Sequence, residues 1–126
     1  MIQASHPVAF LPSEDLDRSE RFFRETLEIP LASRSPYALA FQVEGALLRV
    51  TKVEGLRPQP FTVFGWQVLD IRSEIERLRD GGIVMLRYEG LVQDDAGIWT
   101  TDNGDMVAWF HDPDSNVLSL TQLVAA

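Results

Sequence analysis

Apolar residues along this chain change period several times, and each change marks an element. Val8 to Leu11 is a short apolar run that reads as a strand, broken by Pro12 and Ser13. Leu16, Phe23 and Leu27 then recur at i, i+7 and i+11, a single helical stripe with Phe22 beside it. Arg18, Glu20, Arg21, Arg24 and Glu25 cover the rest of that helix. Ser13 or Asp15 offers a side-chain oxygen to cap it, and Pro30 stops it. From Leu31 to Val53 the period is two. Tyr37–Val43 and Ala46–Val53 read as strands joined at Glu44-Gly45, with Leu31–Arg34 as a shorter third.

After a stiff connector, Gly55 to Pro60, the order returns. Phe61–Val68 reads as a strand, and Asp70 caps a helix carrying Ile71, Ile75 and Leu78, which ends at Gly81-Gly82. Ile83–Tyr88 reads as another strand, Gly90–Gly97 as a loop carrying Asp94-Asp95, and Ile98–Thr101 as a short strand before an Asn103-Gly104 turn. Met106 to Thr121 is a hairpin around Asp112-Pro113-Asp114-Ser115-Asn116, and the tail Gln122–Ala126 completes the chain. A slide of 55 residues sets Asp15 on Asp70, Leu16 on Ile71, Phe23 on Leu78 and Arg24 on Arg79. The pattern predicts two copies of one strand–helix–strand–strand–strand unit, residues 6–57 and 61–124, in a single α+β domain spanning 1–126.

Composition removes several function classes. With no cysteine there are no disulfides, thiolate metal sites or cysteine nucleophiles. A net charge of −8, with ten Arg and the single Lys52 spread along the chain, argues against nucleic-acid binding, which needs clustered cations. No window is long enough to span a membrane, and Met1–Ser5 has no basic region leading into an apolar stretch. A cytoplasmic protein without membrane contact is expected. No nucleophile elbow, Walker loop or dinucleotide fingerprint is present, and Gly81-Gly82 follows a helix instead of opening one.

Two stretches carry a resemblance. Asp15-Leu16-Asp17-Arg18-Ser19 with Phe22, Phe23 and Leu27, and Trp109-Phe110-His111-Asp112-Pro113-Asp114-Ser115-Asn116-Val117-Leu118-Ser119-Leu120, resemble the vicinal-oxygen-chelate superfamily. That group includes glyoxalase I, bleomycin- and fosfomycin-resistance proteins and extradiol dioxygenases. The resemblance runs over residues 6 to 122. It implies two βαβββ modules whose curled sheets form a U-shaped cleft for a small molecule, and a homodimer. Two positions depart from the family pattern: Glu28 and Ser115 stand where glycine is usual. If those positions need a positive φ, each costs on the order of 1 kcal/mol.

Metal-using members draw a ligand from one inward position on each of four strands. By the resemblance these fall on Val8 or His6, on Arg49, on Val63 and on Ser119. Divalent ions need several N, O or S donors converging on a point. Val63 offers none, and Arg49 is a fixed cation. No metal and no other cofactor is therefore expected, although His6, His111 and Asp94 could in principle assemble a site.

Strand parity fills in the walls. Thr62, Phe64, Trp66 and Val68 share the face under the helices; Phe61, Val63, Gly65 and Gln67 share the cleft face. Arg49 lies with Leu47 and Thr51, and either pairs with a protein carboxylate or offers its fork to a carboxylate or phosphate of the ligand. A turn that closes Asp112 against Val117 pairs Phe110 with Ser119, so Phe110 and not Trp109 is expected on the cleft face. His111 is read as solvent-facing near the turn. The predicted ligand-binding set is Phe10, Arg49, Val63, Trp99, Phe110 and Ser119. Two classes of function follow. One is a metal-independent binder of an apolar or aromatic small molecule, similar to the bleomycin-resistance proteins. The other is a metal-dependent lyase, isomerase or dioxygenase of the same superfamily.

Overall fold

The computed structural model describes residues 2–3 and 6–124. Met1, Ala4 and Ser5 of the opening stretch and Ala125 and Ala126 of the expected tail lie outside the described residues. The chain divides into two compact units, Met1–Pro58 and Gln59–Ala126.

In the first unit the strands are β1 (Val8–Ser13), β2 (Leu31–Arg34), β3 (Ala38–Val43) and β4 (Ala46–Lys52). They form one sheet in the order β1-β4-β3-β2, with β1 parallel to β4 and the other pairs antiparallel. β1 continues through Pro12 and Ser13, where the sequence predicted a break. β1 is an edge strand, so the missing Pro12 amide takes nothing from the ladder. Between β1 and β2 runs helix α1 (Leu16–Arg21), whose last turns, Phe22–Thr26, widen so that the Leu27 amide donates to the Phe22 carbonyl at 3.1 Å. Asp15 is the N-cap, its carboxylate accepting from the Arg18 amide. The helix stops before Pro30, because Glu28 turns left-handed at φ 57°.

This helix covers one face of the sheet. Ser13 on β1 and Ser19 on α1 share a buried hydrogen bond of 2.6 Å, and the Phe23 ring lies 5.3 Å from Phe41. Leu11, Leu39, Leu48 and Val50 fill the same layer and are fully buried. Burying each of these side chains is worth about 1.5–3 kcal/mol. Arg34, at the end of β2, bridges to Asp17 at 2.7 Å and Glu20 at 2.9 Å on α1, and its pairing holds the Glu20 carboxyl below the usual carboxylate range.

The second unit repeats the plan. β5 (Thr62–Gln67), β6 (Trp99–Thr100), β7 (Met106–His111) and β8 (Val117–Gln122) pair in the order β5-β8-β7-β6, with β5 parallel to β8. Helix α2 (Ile71–Asp80) is capped by Asp70, which accepts from the Ser73 amide as Asp15 accepts from Arg18. The N-cap equivalence predicted by the 55-residue slide holds in both units. The Ile71 amide donates to the Gln122 side chain, which ties α2 to the face of β8 that carries Leu118 and Leu120. Ile71, Ile75 and Leu78 are buried against that face, together with Ala108 and Phe110. The architecture is α+β, two βαβββ units of four strands each.

Ile83–Tyr88 is not a strand. Its ladder bonds reduce to one, from the Leu86 amide to the Trp109 carbonyl. A side chain supplies the rest: Gln93 accepts from the Tyr88 amide and donates to the carbonyls of Leu86 and Gly97. Alternating apolar residues predicted the strand; the backbone groups found an amide side chain instead of a partner strand.

Candidate functional site

Each sheet has a second face, turned away from its helix, and the candidate residues lie on these two faces. In the first unit the register aligns Phe10, Arg49 and Ala40 across β1, β4 and β3. Val8 and Leu47 lie in the next row on one side, and Thr51 and Ala38 on the other. The four strands contain no Asp or Glu, and Arg49 is the only charged side chain that their register puts on this face. Phe10 is 63% exposed, unusually open for a strand phenylalanine, and Arg49 is exposed beside it. Among the described residues Arg49 forms no hydrogen bond or ion pair, so the carboxylate partner expected as one reading is not there. The Thr51 hydroxyl is shielded from solvent and has no hydrogen-bond partner among the described residues.

In the second unit the corresponding face is aromatic. Trp99 stacks on Trp109 at 6.2 Å with 27° between the planes, and Tyr88 meets Trp109 edge-on at 5.3 Å. The Trp109 indole donates to the Thr62 hydroxyl at 3.0 Å. Burial raises the Tyr88 phenol above its ordinary value. Ser119 sits beneath this group, between Trp109 on β7 and Gly65 on β5. A Cβ at Gly65 would collide with the Ser119 hydroxyl and stand 2.8 Å from its carbonyl oxygen. Glycine is what lets the two strands carry Ser119 at that spot.

Two expectations about this face are corrected by register. The structure pairs Trp109 with Ser119 and Phe110 with Leu118. Phe110 is fully buried under α2, and Trp109 takes the position predicted for Phe110. The cause is the turn. The Asp112 amide donates to the Asn116 carbonyl, and the Asp112 carboxylate accepts from the amides of Asp114 and Asn116 and from the Asn116 side chain. The last ladder pair is therefore His111 with Val117, one residue away from the predicted closure, and one residue reverses every side chain. A signal was present in the Asp112…Asn116 spacing, since both side chains favour closing a loop on themselves.

The second correction concerns β5. Its register shifts between Thr62 and Phe64, a bulge at Val63. Thr62 therefore leaves the helix-covered face and joins Gly65 and Ser119, where Trp109 reaches it. Val63 itself is 39% exposed at the bulge. Phe64 and Trp66 stay on the covered face, with rings edge-on at 4.8 Å. Sequence parity missed Trp109, Thr62 and Tyr88; no residue type marks the bulge.

Of the predicted set, the structure places Phe10 with Arg49 on one face and Trp99 with Ser119 on the other. It leaves Val63 at a bulge and moves Phe110 into the core. The donor types on these faces do not fit a divalent ion. Arg49, Val63 and Ser119 occupy three of the four positions that the resemblance assigns to ligands. Among the described residues no group of three or more His, Asp or Glu could hold an ion. Asp94 is engaged by the amides of Ala96 and Ile98 and by Arg72 at 3.0 Å. His111 is exposed on the aromatic face, as expected of a residue beside the turn.

No family model matches the sequence, and no curated protein matches it. Solved structures do match in fold. A lactoylglutathione lyase from Agrobacterium tumefaciens aligns with a TM-score of 0.73 at 14% identity, covering 94% of this chain and 93% of that one. A glyoxalase/bleomycin resistance protein/dioxygenase from Alicyclobacillus acidocaldarius aligns at 0.72 and 19% identity, covering 98% and 96%. A glyoxalase-related enzyme from Fulvimarina pelagi aligns at 0.71 and 21%, covering 97% and 89%. No helix is long and apolar enough to cross a membrane among the described residues.

Proposed function

We propose that this chain, which has the fold of the glyoxalase/bleomycin resistance/dioxygenase proteins, binds a small apolar or aromatic organic molecule on the helix-free face of its second unit without using a metal. One observation carries the reading. The aromatic group Trp99, Trp109 and Tyr88 is half-buried on a face that also offers the hydroxyls of Thr62 and Ser119 and carries no carboxylate from its strands. Stacked indoles with a few polar groups suit a flat apolar ligand that needs orienting hydrogen bonds. General acid–base chemistry lacks a carboxylate there, and His111 is the single ionisable strand residue on that face. A homodimer and a cytoplasmic address belong to the same proposal.

The test is a pair of measurements on purified protein. Metal analysis is expected to find no stoichiometric ion, and calorimetric titration with a neutral bicyclic aromatic such as 2-naphthol is expected to show binding that survives chelator treatment. Trp99→Ala should weaken that binding at least tenfold while the protein stays folded. Stoichiometric nickel, zinc, iron or manganese, or binding abolished by chelator, would overturn the proposal in favour of the metal-dependent enzyme.

A further inference from the structure

The first unit's helix-free face assigns a chemical class to the ligand. Its occupant must cover an apolar strip, the exposed Val8 and Phe10 on β1 with the half-buried Leu47 on β4, and must meet one cation in the middle of it. The cation is Arg49, which, like the exposed Arg21 of α1, forms no hydrogen bond or ion pair among the described residues. The chain holds 19 acidic residues against 11 basic ones, and six other guanidinium groups have oxygen partners. Arg24 bonds Glu20, Arg34 bonds Asp17 and Glu20, Arg72 bonds Asp94, and Arg77 bonds Glu74. Arg79 and Arg87 both reach the Asp95 carbonyl. Arg49 cannot do the same within its sheet, because none of the four strands contributes a carboxylate. Its neighbours across the ladder are Phe10 and Ala40, and those along the strand face are Leu47 and Thr51.

We infer that the ligand is an amphipathic monocarboxylate, its carboxylate seated on the Arg49 fork and its apolar body lying along Phe10, Val8 and Leu47. A planar guanidinium presents two parallel N–H donors that match a carboxylate, and apolar surroundings strengthen the pair by keeping water away. The charge count favours a monoanion. One guanidinium neutralises one charge, whereas a phosphate monoester dianion would keep an excess negative charge near a protein of net charge −8. This inference rests on the reading that the helix-free sheet faces hold small molecules, and it adds the class that the first unit's face takes.

Three probes test it by calorimetry: 3-phenylpropionate, its neutral amide, and phenyl phosphate. The carboxylate should bind at least tenfold more tightly than the amide and more tightly than the phosphate, with an affinity that falls as salt is raised. Arg49→Gln should bring the carboxylate down to the level of the amide, and Arg49→Lys should restore part of the difference; both side chains are exposed enough that far-UV dichroism should match the parent. Equal binding of carboxylate and amide overturns the inference while leaving the small-molecule reading intact. No binding of any probe, 2-naphthol included, removes both. Preferential binding of the phosphate overturns the monocarboxylate. A dimer that dissociates when Arg49 is replaced, with no affinity for the carboxylate, would mean that a second copy of the chain covers this face.

Discussion

The two units share their helix-covered faces and differ in their helix-free ones. Under the helices the parallels are close: an aspartate N-cap at Asp15 and at Asp70, buried apolar side chains at Leu16 and Ile71 and at Phe23 and Leu78, and the same strand order with the same parallel edge. On the other side, one sheet presents a lone arginine beside Phe10, Ala40 and Leu47 and the other presents stacked indoles beside hydroxyls. Repetition is thus retained where the fold needs it and lost on the faces that no helix covers. The covered faces are fixed by burial, which favours apolar side chains of suitable volume and admits polar ones only when they are paired, as Ser13 is with Ser19. The helix-free faces are not held to that condition, so they can differ.

The largest expected effect tests that division inside β7. Phe110→Ala should cost about 3–5 kcal/mol, read from denaturant midpoints, because it opens a cavity under α2. Trp109→Ala, one residue away on the other face, should cost less than half as much and should instead weaken ligand binding. Equal costs would place both residues in the core and dissolve the contrast. Next comes Gly65→Ala, expected to lose about 1–3 kcal/mol because its methyl group meets Ser119 backbone and side chain where β5 and β8 are closest. The matching test on the first unit has the opposite sign. Thr51→Val should raise stability by about 1 kcal/mol, since it removes a shielded hydroxyl that has no hydrogen-bond partner.

The sequence was informative where a position has one physical duty. Both N-caps, both apolar helix stripes and the Glu44-Gly45 hairpin could be read directly, because capping and periodicity act within a few residues. Glu28 and Ser115, flagged as standing where glycine is usual, are among the described residues the two non-glycine ones with positive φ, 57° and 64°. The face of β7 and the start of β5 could not be read in the same way. Each depends on a count of residues: one in the Asp112–Asn116 turn reverses all of β7, and one extra at Val63 moves Thr62 while Phe64–Gln67 keep the faces that alternation assigned. Ile83–Tyr88 failed for a different reason: an amide side chain distant by several residues satisfied a backbone that alternation alone assigned to a ladder.

A smaller effect follows from the left-handed residues. Glu28→Gly and Ser115→Gly should each add about 0.5–1 kcal/mol, and similar gains would show that the two units tolerate the same strain. The smallest concerns acid. Hydrogen bonds from the Arg18 amide lower the Asp15 carboxyl and those from Ser73 lower Asp70, whereas burial raises Asp112 above its ordinary 3.8. The two caps therefore contribute stability above the ordinary carboxylate value, and lose it as pH falls through their lowered folded values. Asp112 has the opposite sign: ionised, it detracts from stability above its raised folded value, and that penalty disappears as pH falls back toward 3.8. Carboxyl-carbon NMR should show Asp112 titrating above both caps; the reverse order would contradict its burial.

The chain's three tryptophans, Trp66, Trp99 and Trp109, all fall beyond Pro58. Indole emission therefore watches one half of the molecule and is blind to the other. Melting followed by fluorescence will trace the second unit alone, while far-UV ellipticity sums both. Any gap between the two midpoints measures directly how independently the halves come apart, with no label added.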